Sequence, residues 1–305
     1  MEKNTMGLQK RIESGKPLLL AEISPPQGSD PKPLGETARR FAGKIHALGI
    51  SDNRDRVSMS ALAAATIVAA EGVEPILHVV TRDRNRIALV SEALGAQALG
   101  IRNLLCTSGT HQILGAFHSA KNVFDIDTVQ LLQTYSNLAG DGSLVGEKGF
   151  AGAGPFCLGG VAAPNADPLE MQVLRLAKKS DAGARFLITQ PIYDLERFNQ
   201  WWQEITHRGL HEKVAIVAGI QPLYDAQKAQ QLAASRPLPR IPDAILAKLS
   251  SASGAAAQHA AGITIALDTI SRLSGVKGLR GFQICGDGDM DAAMEVIEKS
   301  ALGTN

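Results

Sequence analysis

Cysteine is scarce in this sequence, and no cysteine has a neighbour to work with. Cys106, Cys157 and Cys285 are scattered through 305 residues, with no CxxC pair and no metal-ligand spacing. Neither a disulfide framework nor a metal site built by this chain alone is expected. Charge of one sign is also missing: Lys plus Arg is 31 and Asp plus Glu is 30, so nothing electrostatic calls for nucleic acid or an acidic membrane as partner. No apolar run reaches the ~20 residues that a membrane span needs. The first sixteen residues hold no apolar stretch followed by a small-residue cleavage site. A reduced, soluble, cytoplasmic protein is the expectation. Aromatic residues make up only 4%, whereas alanine and glycine are plentiful, which suits close packing of helices on strands. No GxGxxG or GxxxxGK[ST] occurs, nor HExxH, nor a Ser/His/Asp order, nor a carboxylate pair suited to glycoside hydrolysis.

What is present is a repeated alternation. Short apolar runs occur at Leu18–Ile23, near Ile45–Ser51, and at Glu74–Thr81, Ile101–Thr107, Pro155–Ala162, Ala184–Gln190, Lys213–Ile220 and Leu279–Cys285. Each is apolar on both faces and bounded by Gly, Pro or Asp, as strands of a buried parallel sheet are. Helical spacing fills the intervals at Ser58–Glu71, Asn85–Leu99, Asp167–Asp181, Asp194–Ile205, Tyr224–Ala233 and Ala257–Leu273. In the third of these, Asp167 reads as an N-cap with Pro168 at the first helical position. Eight such repeats predict an α/β fold, a single (β/α)8 TIM barrel in one domain over residues 1–305. The open doubly wound sheet is the rival, and it usually carries a glycine-rich turn after its first strand. The longest irregular segments are Gly109–Asp127 and Asn137–Ala153, lengths at which loops often serve as lids or partner surfaces.

Barrel chemistry sits where strands end, so the residues at those ends are the candidates. Glu22 closes the first run among apolar neighbours, and Pro25-Pro26 stops the strand. It reads either as a general acid or as a glutamate salt-bridged at the rim. The second run ends at Ser51-Asp52-Asn53. His78 lies on the third and reads equally as a satisfied core histidine. The following Arg82–Arg86 run would either bind an anion or pair with itself. Cys106-Thr-Ser-Gly-Thr110-His111 is a hydroxyl- and amide-rich turn that could hold a ring carbonyl or a phosphate, or be a plain turn. Gln190 offers a donor and an acceptor in one plane, suited to a heterocycle edge, or else is a structural glutamine. One carboxylate with amides and hydroxyls is a thin catalytic set, appropriate where a cofactor does the difficult chemistry.

Several segments in order resemble the methylenetetrahydrofolate reductase family, closest to its short bacterial form found with accessory redox subunits. They are Ala21–Pro26, Thr81–Ile87, Leu104–His111, Phe124–Leu132, Asp181–Ala184, Ile188–Asp194 and Ala218–Gln221-Pro222. The resemblance implies a flavin-holding barrel that reduces 5,10-methylenetetrahydrofolate to 5-methyltetrahydrofolate. Its cofactor would be FAD in preference to FMN. It places the catalytic acid on Glu22 and substrate contacts on Gln190, Thr110 and Gln221. Flavin contacts fall on Ser51, His78, Ser108, Gly109, Thr110, Lys178 and Lys179, and no metal is implied. The implied partners are the folate and a redox subunit or a second copy of the chain. Two alternatives stay open: a flavin- or folate-binding subunit with little activity of its own, and a folate-dependent methyl-transfer barrel. The chain departs from the family at Thr110, where members commonly carry aspartate. It also has Ala163 for a histidine, and Ala226, with Tyr224 close by, for a phenylalanine. With Thr110 neutral, Asp125 and Asp127 are the candidates to supply that carboxylate.

Overall fold

The computed structural model describes residues 7–54, 56–115, 117–140, 142–143, 150, 154–235, 240–286, 289–300 and 302. Eight strands, β1 (Leu18–Ile23), β2 (Ala47–Ile50), β3 (Pro75–Val80), β4 (Asn103–Thr107), β5 (Cys157–Ala162), β6 (Phe186–Pro191), β7 (Ala215–Ile220) and β8 (Gly281–Cys285), pair in sequence order. All are parallel, and β8 closes on β1 with Glu22 opposite Cys285. This is the (β/α)8 barrel that the alternation predicts.

Successive strand residues face opposite sides, and that parity explains the two-sided apolar runs. Leu18, Leu20, Ala47, Ile76, Leu105, Cys157, Phe186, Ile188, Ala215 and Val217 pack together inside the barrel. The alternate residues Leu19, Ala21, Leu48, Leu77, Val79, Leu104, Leu158, Leu187, Ile216 and Ile284 belong to the larger core under the helices. Small residues set the approach distances within the barrel. A Cβ on Gly159 would lie 2.2 Å from Phe186 Cζ, so the phenylalanine fills the space that the glycine vacates.

The helices are α1 (Gly7–Glu13), α2 (Lys32–Phe41), α3 (Ala61–Ala70), α4 (Arg86–Ala98), α5 (Thr128–Gly140), α6 (Leu169–Asp181), α7 (Leu195–His207), α8 (Leu210–Lys213), α9 (Ala226–Ser235), α10 (Asp243–Ser250), α11 (Ala255–Ser274) and α12 (Met290–Lys299). The six expected helical intervals are all occupied. Sequence spacing missed α1, α2, α5, α8, α10 and α12. The missed α1 stops the N-terminal end of the barrel: Leu8 is fully buried in the inner cluster. Its amide N–H donates to the Glu74 carboxylate, which also accepts from Asn103. Burial raises the Glu74 pKa, against those hydrogen bonds. The irregular stretch expected from Asn137 instead begins as the last turn of α5. Its later part, 144–149 and 151–153, lies outside the described residues.

Asp167 corrects an expectation. Pro168, not Asp167, is the N-cap of α6, and no side chain caps that end. Asp167 is drawn away into ion pairs with Arg197, at 2.5 Å, and Arg240. Asp194 does act as a cap, accepting from the Arg197 N–H at 3.0 Å.

Candidate active site

The same parity that buries Leu18 and Leu20 points Glu22 into the barrel at its C-terminal mouth. It does likewise for His78 above Ile76, Gln190 above Ile188, and Gln283 on β8. These four side chains line one cavity of about 270 Å³ together with Ser51, Arg54, Thr107, Gly109, Thr110 and Cys285.

Glu22 does not stand among apolar groups alone. Its Oε1 accepts from Arg54 Nη1 at 3.0 Å, and its Oε2 accepts from Gln283 Nε2 at 2.6 Å. The ion pair that the rim reading expected is therefore formed, but on a carboxylate that faces the cavity. His78 is not a satisfied core histidine: its Nε2 is buried with no partner. Burial lowers its pKa, with Glu22 opposing and Arg54 adding to the shift, which favours the neutral imidazole. Gly49 makes room for it, because a Cβ there would come 2.9 Å from His78 Nε2. On the opposite wall Gln190 Oε1 is also buried and unpartnered. A register shift between Ile188 and Pro191 breaks the β6 ladder beside it. The break is stitched by Thr189 Oγ1, which donates to the Gln190 carbonyl at 2.8 Å and accepts from the Gly219 N–H at 2.9 Å.

A second cavity of about 170 Å³ adjoins the first and shares Thr107, Gly109 and Val161 in its wall. Ser108, Thr128, Gln172, Arg175 and Lys179 line it as well. Ser108 and Thr128 exchange a hydroxyl hydrogen bond at 2.8 Å. Burial, reinforced by Arg175, lowers the Lys179 pKa to about 8. Two cations, two hydroxyls and an amide make this an anion-binding donor set.

Of the residues expected from the sequence, Glu22, Ser51, His78, Gly109, Thr110 and Gln190 meet in the first cavity, and Ser108, Gly109 and Lys179 in the second. Lys178 is exposed and lines neither. Gln221 lines a separate small cavity with Tyr224 and Lys228. The Arg82–Arg86 run is paired within its own neighbourhood. Arg82 donates to Asp83 and to the carbonyls of Asn53 and Thr110, Arg84 pairs with Asp52 and Glu92, and Arg86 with Asp125. Neither Asp125 nor Asp127 lines the first cavity with Thr110: Asp125 is paired with Arg86, and Asp127 accepts from the Gln130 N–H at 2.8 Å while its charge acts on Lys179. Sequence reasoning missed Arg54, Gln283 and Arg175. The alternation Gly281, Gln283, Cys285 would have revealed Gln283, and the four-residue spacing to Lys179 would have revealed Arg175. Nothing in the sequence singled out Arg54.

The sequence model of the methylenetetrahydrofolate reductase family matches residues 7–300. The chain belongs to the methylenetetrahydrofolate reductase family. A Caenorhabditis elegans protein named probable methylenetetrahydrofolate reductase (NADPH) is 24% identical over 181 residues, 59% of this chain. The Saccharomyces cerevisiae protein methylenetetrahydrofolate reductase 2 is 27% identical over 168 residues, 52% of this chain. The matched segments span 25% of the length of each of those relatives. Among solved structures, a Clostridium thermocellum protein that binds two copies of 5-methyl-5,6,7,8-tetrahydrofolic acid superposes with a TM-score of 0.66. It is 14% identical, with 95% of this chain and 97% of that chain covered. An F420-dependent secondary alcohol dehydrogenase gives 0.55 at 13% identity, covering 93% and 98%. At these identities the likeness is one of fold. Among the described residues no helix is long and apolar enough to cross a membrane, and no cluster of His, Cys, Asp or Glu could hold a metal ion.

Proposed function

We propose that this member of the methylenetetrahydrofolate reductase family reduces 5,10-methylenetetrahydrofolate to 5-methyltetrahydrofolate, with a flavin held at the mouth of the barrel. One observation carries the reading: Glu22, His78 and Gln190 converge on a single cavity in which His78 Nε2 and Gln190 Oε1 are buried without partners. Buried polar atoms are normally paired, so two of them in one cavity suit a planar heterocycle with donors on its edge. The curated relatives bear the reductase name, and the Clostridium thermocellum neighbour binds a methylated folate, both of which support this substrate class.

The residues present fit a flavin. Lys179 and Arg175, with Ser108 and Thr128, would hold its phosphate in the second cavity, and Ser51, His78, Gly109 and Thr110 would line its ring. FAD and FMN both carry such a phosphate. When bound in reduced form, a flavin supplies the hydride. The protein's own groups bind and orient the folate and manage its proton. Gln190 offers Oε1 to the pterin edge. Glu22 gives a proton to the nitrogen that departs as the bridging imidazolidine ring opens to an iminium.

Anaerobic single turnover of the flavin-reconstituted chain with an artificial electron donor tests the reading. Formation of 5-methyltetrahydrofolate is the expected outcome. A chain that binds folate and flavin but forms no product would be a binding subunit instead. We further expect the electrons to arrive from a partner protein, so that NADH does not rapidly bleach the flavin of this chain alone.

A further inference from the structure

We propose that Arg54 is the displaceable counter-ion of the active-site carboxylate: it occupies Glu22 until folate enters, and folate entry moves it aside. The inference rests on the folate reading above and concerns a positioning residue, not a group that reacts.

Both Glu22 oxygens are taken, one by Arg54 and one by Gln283. The two partners differ in what they can accommodate. Gln283 carries an amide, and its Oε1 is buried without a partner. Turning that amide presents a carbonyl instead of an N–H, so Gln283 can face Glu22 as carboxylate or as acid. A guanidinium has only donors. With a proton on Glu22 Oε1, that oxygen is a weaker acceptor and the charge that attracts Arg54 is gone. Arg54 therefore favours the carboxylate over the acid. A proton on Oε2 would be given to Gln283 and turned away from the cavity. Holding and presenting a proton on Oε1 is thus favoured once Arg54 has left that oxygen.

The two partners also differ in exposure. Gln283 sits on β8 inside the barrel and is 2% exposed. Arg54 lies beyond the end of β2, its side chain is 29% exposed, and it lines the same cavity that the substrate would fill. Folate binding and the Glu22–Arg54 pair thus compete for one oxygen.

The test is a double-mutant cycle on binding, reading the dissociation constant of 5-methyltetrahydrofolate for the purified, flavin-loaded chain. Four proteins complete it: the unsubstituted chain, Arg54→Ala, Glu22→Gln, and the double variant, each checked for a cooperative thermal transition. With Glu22 present, Arg54→Ala tightens binding by about 3- to 10-fold, the release of one partly buried ion pair. In the Glu22→Gln background, where no ion pair has to break, the same substitution changes affinity less than about twofold, since uncoupled substitutions simply add. Arg54→Lys, which keeps the charge, stays near the unsubstituted value. Weaker or unchanged binding in Arg54→Ala would overturn the inference, making Arg54 a ligand contact or a bystander. Equal tightening in both backgrounds would also overturn it, because the coupling to Glu22 would be absent. If the unsubstituted chain bound no folate, the folate reading itself would fail, and the role of Arg54 with it.

Discussion

Lys179 Nζ donates to the backbone carbonyl of Val161 at 2.5 Å, tying the inner face of α6 to the end of β5 beside the second cavity. Burial, then the neighbouring Arg175, brings the Lys179 pKa down to about 8. Below that pH the side chain is an ammonium, and above it a neutral amine. An anion stabilises the charged form, so a phosphate bound here raises the pKa, and affinity for the phosphate must fall as pH rises through about 8. The expected result is that FMN or FAD binds the apoprotein more weakly at pH 9 than at pH 7, whereas riboflavin, which lacks the phosphate, does not. Lys179→Met should weaken FMN binding at pH 7 by about 10- to 100-fold, the worth of one charge-assisted hydrogen bond, and flatten the pH dependence. Fluorescence quenching on titration reads both. An unchanged constant in Lys179→Met would place the phosphate elsewhere.

Glu22→Gln keeps the shape of the side chain and removes its acid proton. Flavin content and thermal stability should match the unsubstituted chain. The rate of methylenetetrahydrofolate reduction should fall by about 10²–10⁴-fold, the usual worth of a general acid. Stopped-flow oxidation of the reduced flavin by the folate measures it. A rate within a factor of two would leave Glu22 as no more than Arg54's ion-pair partner.

Thr110 lines the first cavity, and neither Asp125 nor Asp127 does. Thr110→Asp would add negative charge beside the ring, disfavouring the electron-rich reduced flavin. At ~6 Å and an effective dielectric of ~20, one unit charge is worth about 2–3 kcal/mol. The flavin midpoint potential should drop, and hydride transfer to the folate should speed up. Equilibrium titration with a reference dye determines the potential. A rise or no change would mean that residue 110 does not adjoin the flavin.

Inside the barrel, Gly159→Ala should test the packing of its floor. The added Cβ would meet the Phe186 ring at 2.2 Å, and Phe186 is fully buried. Overpacking of this kind costs typically about 1–3 kcal/mol. The melting temperature should fall, and Phe186→Leu in the same chain should recover part of the loss. A Gly159→Ala chain as stable as the original would mean that the ring has free space to turn into.

The strand pattern was readable because each apolar run is a local fact. A run that is apolar on both faces must be covered on both, and eight of them separated by helical spacing have a closed barrel as their solution. Strand parity was readable too: Leu18, Leu20 and Glu22 share a face whatever lies around them, and so do Phe186, Ile188 and Gln190. The shortest helices, α1 and α8, escaped notice because their stability comes from docking rather than from their own pattern. In α1, only Leu8 is buried.

Partnership was decided elsewhere. Glu22 meets Gln283 across 261 residues because β8 closes on β1, and it meets Arg54, just beyond the end of the neighbouring β2, across 32. Lys179 rather than Lys178 enters the second cavity, since the two lie 100° apart around α6 and only one angle faces β5. The sequence by itself determined the barrel and which strand side chains point into it, through periodicities that act within a single segment. Which of those side chains touch depended on strand register and loop placement, where groups distant in sequence compete for the same space and only the assembled fold settles the winner.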